Sequence, residues 1–262
     1  ETVLPLQVEE FEAVYCLDKE PALTALATQV KGARKYGFGS DKNGALKIFN
    51  RAASYAYRLG VDDDLKFRRN EKTYQEIAAE AAEVDYRRNE YVFEPRPESR
   101  AKAEAYFKSL KISGKRPAIG LNTGAGTKFE TKQWPAAHYR ALIRMLTAKL
   151  GAEVFLLGGP RETKMNEALA RGAGARVHNT GTGHTLLEFA GYVAGMDAVV
   201  TSDTLGMHIA IALRKKVVAL FGPTCPQEID LYDRGVKLFA GAPCAPCYRQ
   251  PCPDPVCMKS LS

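Results

Sequence analysis

From Pro117 onward short apolar runs alternate with longer segments of helical period, and this alternation limits the fold more than any other feature of the sequence. The runs are Ala118-Ile119-Gly120-Leu121, Val154-Phe155-Leu156-Leu157, Ala198-Val199-Val200 and Val217-Val218-Ala219-Leu220-Phe221, with a weaker one around Arg176-Val177-His178. Between them, Pro135 suits the first position of a helix that runs through Leu142, Ile143 and Leu146 to a stop at Gly151. Thr185-Leu186-Leu187-Glu188 reads as a capping box that opens another helix, with Ala190, Val193 and Ala194 on its apolar face. Strand–helix–strand units joined by right-handed crossovers predict an α/β fold with an open, doubly wound parallel sheet.

The first hundred residues obey the same grammar less completely. Phe11 to Leu17 reads as a strand, Pro21 to Val30 as a helix, Arg34 to Phe38 as a short strand, and Leu46 to Leu59 and Tyr74 to Val84 as helices. That is fewer strands than a doubly wound domain carries, so the expectation is an α/β domain whose beginning is absent. Arg96 to Arg116, with Pro97 and Gly114 near its ends and a charged helical stretch between, reads as an interdomain segment. The expected organisation is an incomplete first domain over 1–95, a connecting segment over 96–116 and a second domain over 117–262. The last ends in a loop, since five prolines fall between Pro243 and Pro255.

No stretch approaches the roughly 20 apolar residues of a spanning helix, and Glu1-Thr2-Val3-Leu4-Pro5 lacks the basic segment and apolar run of a signal peptide, so a cytoplasmic location is expected. The net charge of +7 fits anionic partners, and it fits an ordinary solvated surface equally well. Cys16 and Cys225 are isolated, whereas Cys244, Cys247, Cys252 and Cys257 crowd together, which argues against a secreted disulfide scaffold. Their Cys-x2-Cys-x4-Cys-x4-Cys spacing fits no common zinc or iron–sulfur pattern cleanly, and structural thiols are the leading reading.

Ligands of open parallel sheets bind beyond the carboxyl ends of the strands. The residues directly after each strand here are small, hydroxylated or glycine-rich: Asn122-Thr123-Gly124-Ala125-Gly126-Thr127-Lys128, Gly158-Gly159-Pro160, Thr201-Ser202-Asp203-Thr204 and Gly222-Pro223-Thr224. Short turns and helix caps use such residues anyway, but four turns gathered at one edge point to a diphosphate site. Gly124-Ala125-Gly126 lacks the third glycine of a dinucleotide fingerprint, and no Gly-Lys-Ser/Thr comes after it to make a phosphate loop. Asp203 suits the N-cap of the next helix, and Thr204 and His208 share a face of it.

The stretch Ser202-Asp203-Thr204-Leu205-Gly206-Met207-His208, its alanine-containing helix and the strand ending Phe221-Gly222-Pro223-Thr224 resemble glycosyltransferase family 9, the bacterial lipopolysaccharide heptosyltransferases. The glycine falls third after Asp203 rather than second. Lys132-Gln133-Trp134-Pro135 and Gly158-Gly159-Pro160-Arg161-Glu162 match two further family motifs. The resemblance is weaker before Pro95, and the chain reads as lacking the family's start and end.

This resemblance implies a GT-B type fold of two Rossmann-like domains and an inverting transfer of heptose from ADP-heptose to a lipopolysaccharide core, with no cofactor and no metal. It places Thr123, Gly124, Lys132, Asp203, Thr204, Gly206, His208, Gly222, Pro223 and Thr224 around the donor's diphosphate and sugar. Glu162 falls near the ribose and the His184 backbone near the adenine. Lys132 and His208 are the expected catalytic groups, assisted by the helix N-termini after Asp203 and Gly222; Trp134 is expected to be a packing anchor. The base lies in the family's first loop, and no residue before Phe11 can fill that position.

The implied partners are a nucleotide sugar and an anionic glycolipid, with peripheral contact at the cytoplasmic face of the inner membrane and no nucleic acid. Two alternatives remain: a transferase with another donor or acceptor, and a non-catalytic nucleotide-sugar binding fragment. An epimerase lacks an acid/base set beyond His208 and Glu162.

Overall fold

A computed structural model describes residues 3–112, 114–126 and 129–262 of the chain. They form two compact units, one of Glu1–Asn89 with Gln227–Ile229 and one of Glu90–Pro226 with Asp230–Ser262. No helix among the described residues is long and apolar enough to cross a membrane.

The first unit contains α1 (Leu4–Val8), β1 (Glu10–Cys16), α2 (Pro21–Gln29), β2 (Lys31–Ser40), β3 (Leu46–Ile48), α3 (Ser54–Arg58) and α4 (Tyr74–Ala81). β1 and β2 run parallel, from Glu10 opposite Lys31 to Cys16 opposite Gly37, with α2 as the crossover. The helix expected over Leu46 to Leu59 is divided. Asp41 Oδ1 accepts the N–H groups of Asn43 and Ala45 at 2.8 and 2.9 Å, and Gly44 takes φ +81°, so the chain reverses tightly. Leu46–Ile48 then pairs antiparallel with β2, and α3 starts only at Ser54. A short apolar run has no period long enough to separate strand from helix, and the turn decides. α4 opens on a capping box in which Thr73 and Glu76 bond reciprocally to each other's backbone N–H.

The second unit contains α5 (Pro97–Ser109), β4 (Ala118–Asn122), α6 (Ala136–Lys149), β5 (Glu153–Leu157), α7 (Thr163–Ala170), β6 (Val177–Asn179), α8 (Leu186–Ala194), β7 (Ala198–Ser202), α9 (Leu205–Ala212), β8 (Lys216–Phe221), β9 (Gly235–Phe239) and α10 (Val256–Lys259). Its six strands are all parallel in the order β6-β5-β4-β7-β8-β9. This is the doubly wound arrangement, with the order reversing between β4 and β7. All five residues of β5 are buried, and Leu121, Tyr139, Ile143 and Met258 complete a core on one face of the sheet. Thr185 Oγ1 accepts the Glu188 N–H at 3.3 Å and Glu188 Oε2 accepts the Thr185 N–H at 2.9 Å, the capping box read from the sequence. Pro135 is the N-cap of α6 rather than its first residue.

Two features were not legible. β9 is exposed along its whole length, and with Lys237 between Val236 and Leu238 it forms no apolar run. The segment from Arg96 to Arg116 carries α5, which packs on α8 and belongs to the second unit. Ala103, Tyr106 and Phe107 stand three and four residues apart and share one face. The Phe107 ring meets Phe155 and Tyr192 edge-on, with centroids 5.3 and 6.1 Å away. Lys102 Nζ donates to Glu188 Oε1 at 2.7 Å, and that bond, with the Thr185 N–H, pulls the Glu188 carboxyl down to about 2.

The α5–α8 approach is set by glycine. A Cβ on Gly191 would stand 2.3 Å from the Ser99 carbonyl oxygen, and one on Gly195 would enter the Phe107 ring. Gly191→Ala is therefore expected to destabilise the second unit by about 1–3 kcal/mol, read as a lower midpoint of denaturant unfolding. An unchanged midpoint would show that the helices can separate at no cost.

Candidate functional site

Because the order reverses between β4 and β7, the segments leaving these strands diverge to opposite faces and leave a crevice at their carboxyl ends. Asn122, the last residue of β4, sits at that seam. Its Nδ2 donates to Thr201 Oγ1 on β7 and to Thr204 Oγ1, each at 3.0 Å, while its own carbonyl accepts from the Tyr139 hydroxyl at 3.1 Å. Thr204 is the N-cap of α9, with extended φ −144° and ψ 173°. Asp203, expected at that position, stands one residue earlier.

The crevice widens into a cleft of about 320 Å³. Gly124 and Gly126 after β4 and Gly158 and Gly159 after β5 line it together with Glu162; His184, Thr185, Leu186 and Phe189 bound it from α8 and the two residues before it, and Thr204, Leu205 and Gly206 from the cap and first turn of α9. Glycine at 206 is dictated by close approach, since a Cβ there would lie 2.5 Å from Asn122 Nδ2. The first N–H groups of α9 have no acceptor within the helix, so this wall favours an anion. Glu162 is buried to 8% exposure, and its Oε2 accepts the Gly159 N–H at 2.9 Å. His184 Nε2 donates to the Thr180 carbonyl at 2.7 Å, and its ring lies 4.5 Å from that of Tyr192.

A charged cluster gathers around the residue before Thr204. Lys132 Nζ donates to the Asp203 carbonyl at 2.5 Å and lies 3.5 Å from Asp203 Oδ2. The ammonium also stands 5.3 Å over the Phe129 ring. Both charged side chains are nearly enclosed, 15% and 17% exposed, so their fields are screened far less than at an open surface. His208, one turn into α9, turns its Nδ1 to the Tyr91 hydroxyl at 3.1 Å. Burial pulls the His208 pKa below its usual 6.5; the Asp203 carboxylate opposes that shift and Lys132 adds to it.

Of the residues singled out by sequence, Gly124, Glu162, His184, Thr204 and Gly206 line the cleft together. Lys132, Asp203 and His208 form the adjoining cluster. Thr123 is different: it is fully buried, and its hydroxyl bonds to Asn166 Oδ1 at 2.6 Å and to the Leu157 carbonyl at 3.2 Å. That hydroxyl is committed to the core rather than turned into the cleft. Gly222, Pro223 and Thr224 lie outside the cleft lining. Gly222 packs on Met258 and Cys257, Pro223 accepts the N–H groups of Cys247 and Tyr248 at 2.9 Å each, and the Thr224 hydroxyl is buried without a hydrogen-bond partner among the described residues.

Between Gly222 and β9 the described residues open no α-helix either; the chain makes a 3-10 turn over Pro226–Glu228 there. Thr127 and Lys128 of the first turn fall outside the described residues. Trp134 is a buried anchor whose Nε1 donates to the Leu261 carbonyl at 2.9 Å. Among the described residues no group of three or more His, Cys, Asp or Glu side chains is arranged to hold a metal ion, the four clustered cysteines included. The bridging role of Asn122, the Phe189 wall and the Tyr91 contact were missed. Only Asn122 carried a signal, as a polar residue closing an apolar strand.

The sequence matches glycosyltransferase family 9 (heptosyltransferase) over residues 5–257. It is 33% identical over 126 residues to lipooligosaccharide heptosyltransferase 2 of Haemophilus influenzae, covering 47% of this chain and 36% of that protein. It is 37% identical over 140 residues to lipopolysaccharide heptosyltransferase 2 of Escherichia coli, covering 50% and 39%. The matched stretches thus amount to well under half of these relatives. Among solved structures, a glycosyl transferase family 9 protein from Veillonella parvula superimposes with a TM-score of 0.67 at 18% identity, covering 87% of this chain and 62% of that one. An Escherichia coli heptosyltransferase with ADP-2-deoxy-2-fluoro heptose superimposes with a TM-score of 0.55 at 19% identity, covering 91% and 69%. The shared architecture is the two-domain GT-B fold of the heptosyltransferases.

The buried His208 has a measurable signature. Its folded pKa lies below the unfolded value, so on acidification the unfolded chain takes up the proton first. Its effect on stability is flat above pH ~6.5 and destabilising as pH falls from there through the folded pKa. Unfolding free energies measured across this window should drop less steeply in His208→Gln than in the unaltered chain. Equal slopes would contradict the burial of this group.

Proposed function

The chain belongs to glycosyltransferase family 9, and from that premise we propose that its second unit is the donor half of an enzyme that transfers a heptose from a nucleoside-diphosphate sugar, ADP-heptose foremost, to the anionic core of a lipopolysaccharide. The observation that carries this reading is the composition of the cleft at the β4–β7 reversal. A carboxylate, Glu162, lines it together with five glycines, and the N-terminus of α9 bounds it with the Lys132–Asp203–His208 cluster alongside. A carboxylate suits ribose hydroxyls, and glycines let a nucleotide approach the backbone.

Transfer requires stabilisation of the negative charge that grows on the departing diphosphate. The α9 N–H groups and the Lys132 ammonium are fixed before the reaction begins, one by helix geometry and the other by the Asp203 carbonyl. Together they offset the charge that a divalent ion would otherwise neutralise, so we propose transfer without a metal. Phosphate repels the Asp203 carboxylate, whose natural partners are sugar hydroxyls. His208, held neutral by burial, adds a hydrogen-bond donor without adding charge. We assign the general base to no residue of the cleft. The net charge of +7 suits an anionic glycolipid acceptor, and on the same ground we propose peripheral contact with the cytoplasmic face of the inner membrane.

Isothermal titration with ADP tests the donor site. ADP should bind the chain, and Lys132→Met should weaken binding by roughly 10- to 100-fold, the loss expected for a hydrogen bond to a charged group. Glu162→Gln should weaken ADP without altering the response to free pyrophosphate. An absence of ADP binding would overturn the reading.

A further inference from the structure

His208 is gripped by a residue that no sequence motif marks. Tyr91 Oη lies 3.1 Å from His208 Nδ1, and the two rings stack with centroids 5.9 Å apart at 25°. Tyr91 is itself braced by Tyr232 and through its neighbour Glu90. Its ring meets Tyr232 edge-on at 6.1 Å, and the Arg234 guanidinium lies 5.3 Å over that Tyr232 ring. Arg234 also forks onto Glu90, the residue before Tyr91, through Nη1–Oε1 at 2.9 Å and Nη2–Oε2 at 3.2 Å. Arg214, just past the end of α9, adds a third bond to Glu90 at 3.0 Å. So the first turn of α9 engages Tyr91 and the residues after its last turn engage Glu90, which fixes the dipeptide along the helix.

A neutral imidazole carries one N–H, and the partner of one ring nitrogen decides which nitrogen bears it. A phenol hydroxyl donates to an unprotonated ring nitrogen. We infer that Tyr91 is a positioning residue: its hydroxyl donates to His208 Nδ1, fixes the N–H on Nε2, and so presents a neutral donor to the anionic leaving group beside Lys132 and Asp203. This deepens the proposed donor-site function and rests on it for the identity of the leaving group. With the other tautomer, Nε2 would turn a lone pair toward the diphosphate, and an attraction would become a repulsion. The charged groups that bear on His208 are Asp203 and Lys132, and those behind Tyr91 are Glu90, Arg214 and Arg234.

Nitrogen-15 NMR of the full chain labelled at histidine reads the tautomer directly, and ADP titration reads its consequence. In the unaltered chain near neutral pH, His208 should show a protonated Nε2 and an unprotonated Nδ1. Tyr91→Phe keeps the ring but removes the donor; the tautomers should then mix and ADP binding should weaken by roughly fivefold to tenfold. His208→Gln supplies an amide N–H that needs no tautomer, so adding Tyr91→Phe to it should change ADP affinity by less than about twofold. A protonated Nδ1 in the unaltered chain would overturn the inference, whether or not the variants fold. So would a Tyr91→Phe effect that persists undiminished with Gln at 208, since Tyr91 would then act only by packing. If the tautomer is as stated but ADP does not bind the unaltered chain, the donor-site reading fails and the Tyr91–His208 pairing stands.

Discussion

The reversal of strand order between β4 and β7 forces two neighbouring strands to send their chains to opposite faces, and Asn122 holds together what that divergence would otherwise separate. One side-chain amide ties the end of β4 to Thr201 on β7 and to the cap of α9, so both lips of the crevice keep a fixed spacing. The demand for glycine at 206 has the same origin, because the helix can come so close to Asn122 only where no Cβ intervenes. The anion-favouring end of α9 is thereby set over the crevice without help from a ligand.

Charge is then laid on this frame in a particular order. Lys132 is tethered to the carbonyl of Asp203 rather than left to solvent, and the Asp203 carboxylate stands close enough to moderate an ammonium that would be costly to enclose alone. His208 completes the cluster in its neutral form because burial outweighs the pull of Asp203. Beside the cleft the Lys132 ammonium, the Asp203 carboxylate and the N–H dipoles that open α9 thus stand in a fixed arrangement. Two other cavities, about 400 Å³ against β1 and about 390 Å³ beneath α6, are lined mainly by apolar side chains and offer no comparable arrangement.

Much of the second unit was legible because four of its strands are apolar runs and the helices between them carry their own start signals, as Thr185 and Glu188 do. β9 was hidden because an edge strand exposed at every position need not form such a run. In the first unit the hairpin around Gly44 was hidden because a three-residue strand next to a helix has no period of its own. At the site, a motif marks which turn a residue occupies but not which way its side chain points. Thr123 belongs to the right turn and faces the core because Asn166 of α7 offers its hydroxyl a buried acceptor. Gly222 and Pro223 belong to the next turn along and are occupied by α10 and the cysteine-rich loop. Tyr91 carries no motif, and only the folded chain brings it 117 positions along to His208.

The most direct measurement is the diffraction of crystals of this chain grown with ADP. The predicted result is a nucleotide in the β4–β7 crevice, with its ribose at Glu162 and its terminal phosphate within hydrogen-bonding distance of the first α9 N–H groups and Lys132 Nζ. A nucleotide seated instead against β1 or beneath α6, or one in the crevice with its phosphates turned away from α9, would contradict the assignment of this cleft as the donor site.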